Sequence, residues 1–166
     1  MASQQRWALI TGASSGLGRD FAHALAEKGS NVVLAARREE PMERLAEELR
    51  SRHGVKAKVV ALDLSADGAA ASLKLRLDAD GIVVDTLINN AGHGITAEFL
   101  DAPVDRINAM LRLNVLGLTD LTHVFASDMA KRGGGQCDAR GQRSRLPAVP
   151  SFRGVRGQQG ICVVAR

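Results

Sequence analysis

Thr11-Gly12-Ala13-Ser14-Ser15-Gly16-Leu17-Gly18 is the stretch on which the fold turns. Ahead of it, Arg6 to Ile10 is a short apolar run of strand type, and behind it Leu17, Phe21 and Leu25 recur at the spacing of one helix face. A glycine loop between a strand and a helix has a definite physical use. One glycine lets the chain turn sharply, a second removes the Cβ that would hold the backbone away from a pyrophosphate, and a third lets helix and strand pack closely. The first N–H groups of the helix lack partners within it and are offered to an anion. Many turns are rich in glycine, so it is the position between strand and helix that favours a phosphate site over a plain turn.

Working outward, the chain alternates strand-like runs with helical periodicity, the pattern of βαβ units around a parallel sheet. Lys28-Gly29 places a cation and then a left-handed cap at the end of the first helix. Further strands are expected at Asn31 to Ala35, Ala57 to Leu62 and Asp85 to Asn89. A second helix carries Met42, Leu45, Ala46 and Leu49 on one stripe after Pro41, and Ser65 is placed to cap a third. Val104 to about Arg132 reads as one long fourth helix. Its apolar residues, among them Leu111, Val115, Leu118, Leu121, Phe125 and Met129, cover more than one stripe, so two of its faces want partners. The expected fold class is α/β, a Rossmann-like doubly wound parallel sheet left incomplete at about four strands.

About 20 residues beyond the last glycine, where an acid would bind the ribose 2′-hydroxyl of NAD, the chain has Ala36-Arg37-Arg38. No carboxylate stands there to repel a 2′-phosphate. An arginine offers that group a forked, charge-assisted contact, which points to NADP rather than NAD, with Arg37 favoured over Arg38 as the direct contact. The plainer reading is a solvated arginine pair opening the second helix.

The glycine loop, Asp63-Leu64 after the third strand, Asn89-Asn90-Ala91-Gly92 after the fourth, and Asn114 within Leu113-Asn114-Val115-Leu116-Gly117 occur in that order. With these markers, residues 5 to 135 resemble the short-chain dehydrogenase/reductase family. The resemblance implies a sheet ordered 3-2-1-4 in this part of the fold. It implies that Gly12, Ser14, Ser15, Gly16, Leu17 and Gly18 line the pyrophosphate and that Asp63 and Leu64 bracket the adenine. Asn90, Ala91 and Gly92 would lie along the cofactor ribose, and Asn114 would help to hold a water for proton relay. Each has a duller alternative: Asp63 capping its own turn, Asn89-Asn90 as a satisfied corner, Asn114 as a kink or subunit contact.

The family transfers hydride between NADP(H) or NAD(H) and a ketone or secondary alcohol while a serine, a tyrosine and a lysine work as one unit. Here the chain departs from it. There is no tyrosine, and no lysine follows Lys131. Ser144 or Ser151 alone cannot replace the missing group, so Asn114 is the sole catalytic position retained, and cofactor binding without turnover is expected. The codons open to Val155-Arg156-Gly157-Gln158-Gln159-Gly160, read one nucleotide out of frame, permit Tyr-Ala-Ala-Ser-Lys-Ala. Those of Gln142-Arg143 permit a serine at the family's spacing before it, and those of Gln136 to Gly141 permit a short apolar strand. A frameshift near codons 133 to 136 is therefore expected, whether a mutation or a sequencing error.

Composition agrees that the chain changes character near residue 135. Up to that point 16 Lys and Arg face 17 Asp and Glu, whereas the remainder holds six Arg against Asp138 alone, so the net charge of +4 comes from the tail. Residues 136–166 show no helical or strand period and are expected to be a disordered basic extension, distinct from a domain at 1–135. With one aromatic and no helical pattern it makes a poor nucleic-acid arm, so no nucleic-acid partner is expected. Apolar runs fall far short of the roughly 20 residues of a bilayer helix, and Met1 to Arg6 does not form a secretory signal, so a cytoplasmic location is expected. Two cysteines, Cys137 and Cys162, make neither a disulfide framework nor a four-ligand zinc site. The partners expected are a small carbonyl or alcohol substrate in intact relatives and a second copy of the chain against the Val104 to Arg132 helix.

Overall fold

The computed structural model describes residues 6–132, and beyond them the backbone of two short strands, Gln136–Cys137 and Cys162–Ala165. Four parallel strands form its centre: β1 (Trp7–Thr11), β2 (Asn31–Ala36), β3 (Ala57–Ala61) and β4 (Val84–Asn89). They run β3-β2-β1-β4, as expected. Every residue of β2 is buried, the signature of a parallel strand covered on both faces. Helices α1 (Leu17–Glu27) and α2 (Glu39–His53) cover one face, and α3 (Ala69–Ala79) and α5 (Leu118–Lys131) the other.

Local chemistry fixes these helices, in three places differently from expectation. On α1 the buried stripe is Gly18, Ala22 and Ala26, with Phe21 and Leu25 only partly buried and Leu17 50% exposed. Small residues take the innermost line because the helix lies close on the sheet, and the larger ones pack along its flanks. On α2 the expected stripe of Met42, Leu45, Ala46 and Leu49 is fully buried. That helix stops at Gly54, whose φ of 66° is left-handed and whose N–H returns to the Arg50 carbonyl.

The third helix begins at Ala69 after Gly68, so Ser65 does not cap it. Instead Asp63 Oδ1 accepts from the Ser65 hydroxyl at 2.7 Å and the Ser65 N–H at 3.0 Å. This tight local turn keeps Ser65 out of the helix. The expected long fourth helix is divided into α4 (Val104–Leu111), a π-helical segment (Arg112–Gly117) and α5. The wider turns of the π segment insert a residue and re-aim the side chains around Asn114. Leu118, Leu121, Phe125 and Met129 face the core, whereas Leu111, Val115 and Leu116 remain 45%, 51% and 56% exposed, so the two faces read from the sequence are real. At the end of α5 the Arg132 Nη2 donates to the Val84 carbonyl at 2.8 Å and to Asp128 at 2.9 Å, pinning the helix to the start of β4.

A sheet of four parallel strands ordered 3-2-1-4 leaves the far edge of β4 for another segment to cover. In the structure β6 (Cys162–Ala165) pairs antiparallel with it, from Thr86 opposite Ala165 to Asn89 opposite Cys162, and β5 (Gln136–Cys137) pairs antiparallel with β6. An unpaired apolar strand edge accepts any extended segment that can supply N–H and C=O groups, and Cys162-Val163-Val164-Ala165 is such a segment. The other residues of the tail, with the disorder expected for them, lie outside the described residues. Among the described residues no helix is long and apolar enough to cross a membrane.

Candidate functional site

The loops at the C-terminal ends of β1 to β4 surround a cleft of about 730 Å³, the place where open α/β sheets take their ligands. Its floor is the glycine loop, whose glycines do three separate things. Gly12 has a φ of +69°, and a Cβ on it would stand 2.9 Å from the Ala91 Cα. It therefore lets the first loop press against the loop after β4. Gly18 faces away from the cleft, where a Cβ would collide with the Gly12 carbonyl. Gly16, with a φ of +56°, has nothing within 4 Å of where its Cβ would be. Its bare backbone faces open space at the start of α1, a helix with no side-chain cap on its first N–H groups. That combination suits a phosphate.

Thr11 joins this floor to the next wall. Its Oγ1 accepts from the N–H groups of Asn90 and Ala91, each at 2.9 Å, and lies 3.1 Å from Asn89 Oδ1. Asn90 Nδ2 donates to the Thr11 carbonyl at 3.1 Å, and Asn89 Nδ2 donates to the Leu118 carbonyl at 2.9 Å. The asparagine pair is thus the satisfied corner that the duller reading allowed. Asn90 and the following Ala91 and Gly92 nevertheless line the cleft. Thr11 was not singled out from the sequence, although a buried threonine ending a strand, with an asparagine pair ending another, carries the hint.

At the other end Arg37, Arg38, Asp63 and Leu64 complete the wall with Ser14, Ser15 and Leu17. Arg38 Nη2 donates to Ser14 Oγ at 3.3 Å, tying the β2 loop to the glycine loop. The Ser65 hydroxyl and N–H hold the Asp63 carboxyl below the ordinary aspartate range; burial opposes them more weakly, and the Arg37 charge adds the smallest contribution, on the lowering side. Ala36, Leu62 and Leu113, none of them expected at the site, also line the cleft. Asn114 does not line it. Its Oδ1 accepts from the His93 N–H at 3.1 Å and its Nδ2 donates to the His93 carbonyl at 2.8 Å, so it clamps the chain just beyond Gly92. Among the described residues no cluster of His, Cys, Asp or Glu could hold a metal ion.

The family model for short chain dehydrogenase matches residues 6–137. The chain belongs to the short-chain dehydrogenase family. A very-long-chain 3-oxoacyl-CoA reductase of Pyricularia oryzae is 42% identical over 129 residues, which are 76% of this chain and 39% of that protein. Its counterpart in Aspergillus fumigatus is 37% identical over 146 residues, 87% of this chain and 42% of its own. Among solved structures, a bulky-bulky ketone specific alcohol dehydrogenase from Comamonas testosteroni superposes with a TM-score of 0.71 at 36% identity, covering 79% of this chain and 52% of that one. A short-chain dehydrogenase from Sphingobium yanoikuyae in complex with NADPH gives 0.70 at 34%, covering 78% and 50%. The chain spans about two fifths of the length of the curated relatives it matches. Its cleft has what the family's nicotinamide cofactor needs: an uncapped helix N-terminus, bare backbone at Gly16, and cations at the far end.

Proposed function

We propose that this chain binds NADP(H) in preference to NAD(H), and that as it stands it does so without turnover. The observation that carries the reading is the pair Arg37 and Arg38 lining the cleft beside Ser14, with no carboxylate in the position after β2. A 2′-phosphate would meet both guanidinium groups and the Ser14 hydroxyl. Arg38 already reaches Ser14 and Arg37 stands near Asp63, so both contribute, and Arg37 remains the freer of the two to turn on the phosphate. In this reading Gly12, Ser14, Ser15, Gly16 and Leu17 form the pyrophosphate floor, with Gly18 behind it letting the helix pack against Gly12, while Asp63 and Leu64 bracket the adenine and Asn90, Ala91 and Gly92 follow the ribose. Asn114 holds the backbone beside the reacting end.

The cofactor, when bound, supplies or accepts a hydride. The chain's own residues bind and orient it, but no tyrosine is available to move the proton. Ketones and secondary alcohols are the substrate class suggested by the bulky-bulky ketone specific neighbour, and long-chain 3-oxoacyl thioesters by the fungal relatives. The test is a fluorescence titration with NADPH, followed by addition of ketones. Saturable binding lost in Gly16→Asp, with no NADPH oxidation, is expected; oxidation by the unaltered chain that Gly16→Asp abolishes would overturn it.

The residues beyond 135 are proposed to be a shifted reading of the family's catalytic segment, on a cytoplasmic protein. The support is the coincidence of serine, tyrosine and lysine at the family's spacing in the alternative frame. Peptide mass spectrometry of the natural protein decides between the frames. Peptides containing Tyr-Ala-Ala-Ser-Lys are expected, and peptides from Gln142 to Arg166 as written would refute a sequencing error.

A second reading, a nucleotide-binding fragment that associates with its own copy, is favoured by the exposed Leu111, Val115 and Leu116. Sedimentation of the purified chain tests it, a dimer being its expected outcome.

A further inference from the structure

Gly117 ends the π-helical segment and is buried. A Cβ on it would stand 2.5 Å from the Leu64 carbonyl oxygen and 3.5 Å from its carbon. Both atoms are backbone, so no side-chain rotation relieves the contact; the helix or the loop after β3 must move. That loop is stiff, because Asp63 Oδ1 holds both the N–H and the hydroxyl of Ser65. It is also part of the cleft, lined there by Asp63 and Leu64. Three positions earlier in the same segment, Asn114 grips the main chain of His93 in the loop after β4. One segment therefore braces two walls of the cleft, through an amide on one side and through the absence of a side chain on the other.

We infer that Gly117 is a positioning residue for the adenine end of the cleft: its bare Cα sets how closely the Asp63-Leu64 loop can lie, and so the width of the pocket that loop borders. The inference rests on the reading that Asp63 and Leu64 bracket the adenine. It separates Gly117 from a glycine required only by the bend of the helix. A bend defect would be felt through Asn114 and His93 at the nicotinamide end, whereas a displaced Leu64 carbonyl is felt by the adenosine half alone.

The test is calorimetric titration of the full chain with NADP+ and with adenosine 2′,5′-bisphosphate, comparing Gly117→Ala with Gly94→Ala. Gly94 has no atom within 4 Å of its missing Cβ and serves as the matched control. With far-UV circular dichroism unchanged, Gly117→Ala is expected to weaken both ligands by the same factor, about tenfold, and Gly94→Ala neither. Undiminished affinity of folded Gly117→Ala for adenosine 2′,5′-bisphosphate, or a loss confined to NADP+, would overturn the inference. Should Gly117→Ala not fold, amide hydrogen exchange on the unaltered chain decides: the bisphosphate is expected to protect 114–118 together with 62–67, and protection of 62–67 alone contradicts it. An unaltered chain that binds neither ligand defeats the cofactor reading itself, and the inference with it.

Discussion

The two faces of the sheet meet the same demand, to cover a layer of apolar strands, and do so to different degrees. Under α1 and α2 the contact is made by small residues, Gly18, Ala22 and Ala26, and by a compact stripe from Met42 to Leu49. Under α3 and α5 it is made by large ones, Leu73, Leu77, Leu121, Phe125 and Met129. The second layer does not stop at the core, since α4 and the π-helical segment that lead into α5 present Leu111, Val115 and Leu116 to the outside. The difference bears on how the loops around the cleft are fastened to the sheet. The glycine loop and the arginine loop hang from the close-packed first face, whereas the loop after β4 depends on Thr11, Asn89 and Asn114 to fasten it.

The largest effect expected from this contrast is on the second face. Phe125→Ala should cost about 3–5 kcal/mol in urea denaturation, against about 2–5 kcal/mol for Leu49→Ala on the first. A loss below about 1 kcal/mol at Phe125 would mean that α5 is not a core helix.

Thr11→Val comes next. It keeps the shape but leaves the Asn90 and Ala91 N–H groups without their acceptor, and is expected to lower stability by about 2–3 kcal/mol. A neutral result would show that the loop after β4 needs no fastening to β1.

Smaller again, Leu116→Asp should change stability by no more than about 0.5 kcal/mol while reducing any self-association seen by sedimentation. A large destabilisation would place that residue in the fold and close the distinction between the two faces of the helix.

The smallest effect is at Asp63. Its pKa is lowered in the folded chain, chiefly by Ser65, so its contribution is complete above the unfolded value of about 3.9 and is lost as pH falls through the folded value. Because Asp63 is exposed, Asp63→Asn should lower the melting temperature only slightly at neutral pH and not at all in strong acid. A deficit that persists in strong acid would mean that its charge is not the cause.

What was legible in the sequence follows from the range of the interactions. The glycine loop, the α2 stripe and the Gly29 turn are decided within a few residues, and there periodicity and turn chemistry suffice. The sheet order came from the family resemblance and stands in the structure. Ser65 was misread because two local partners compete for one stretch of chain, and the Asp63 side chain wins before a helix can start. The α1 stripe was displaced because leucine and phenylalanine outweigh glycine and alanine in any count of hydrophobicity, while close packing favours the smaller residues. Thr11 left only a hint and Gly117 none, since the partners of each are backbone atoms far away in the chain. The strand at Cys162–Ala165 was undetermined for a similar reason: an edge chooses its partner by geometry more than by sequence.

The most direct test of the account is a calorimetric titration of the 166-residue chain with NADP+ and NAD+ in parallel, repeated on Arg37→Ala. NADP+ is expected to bind at least about tenfold tighter than NAD+, with most of that margin gone in the variant. Equal affinities in the unaltered chain, or a preference for NAD+, would contradict it.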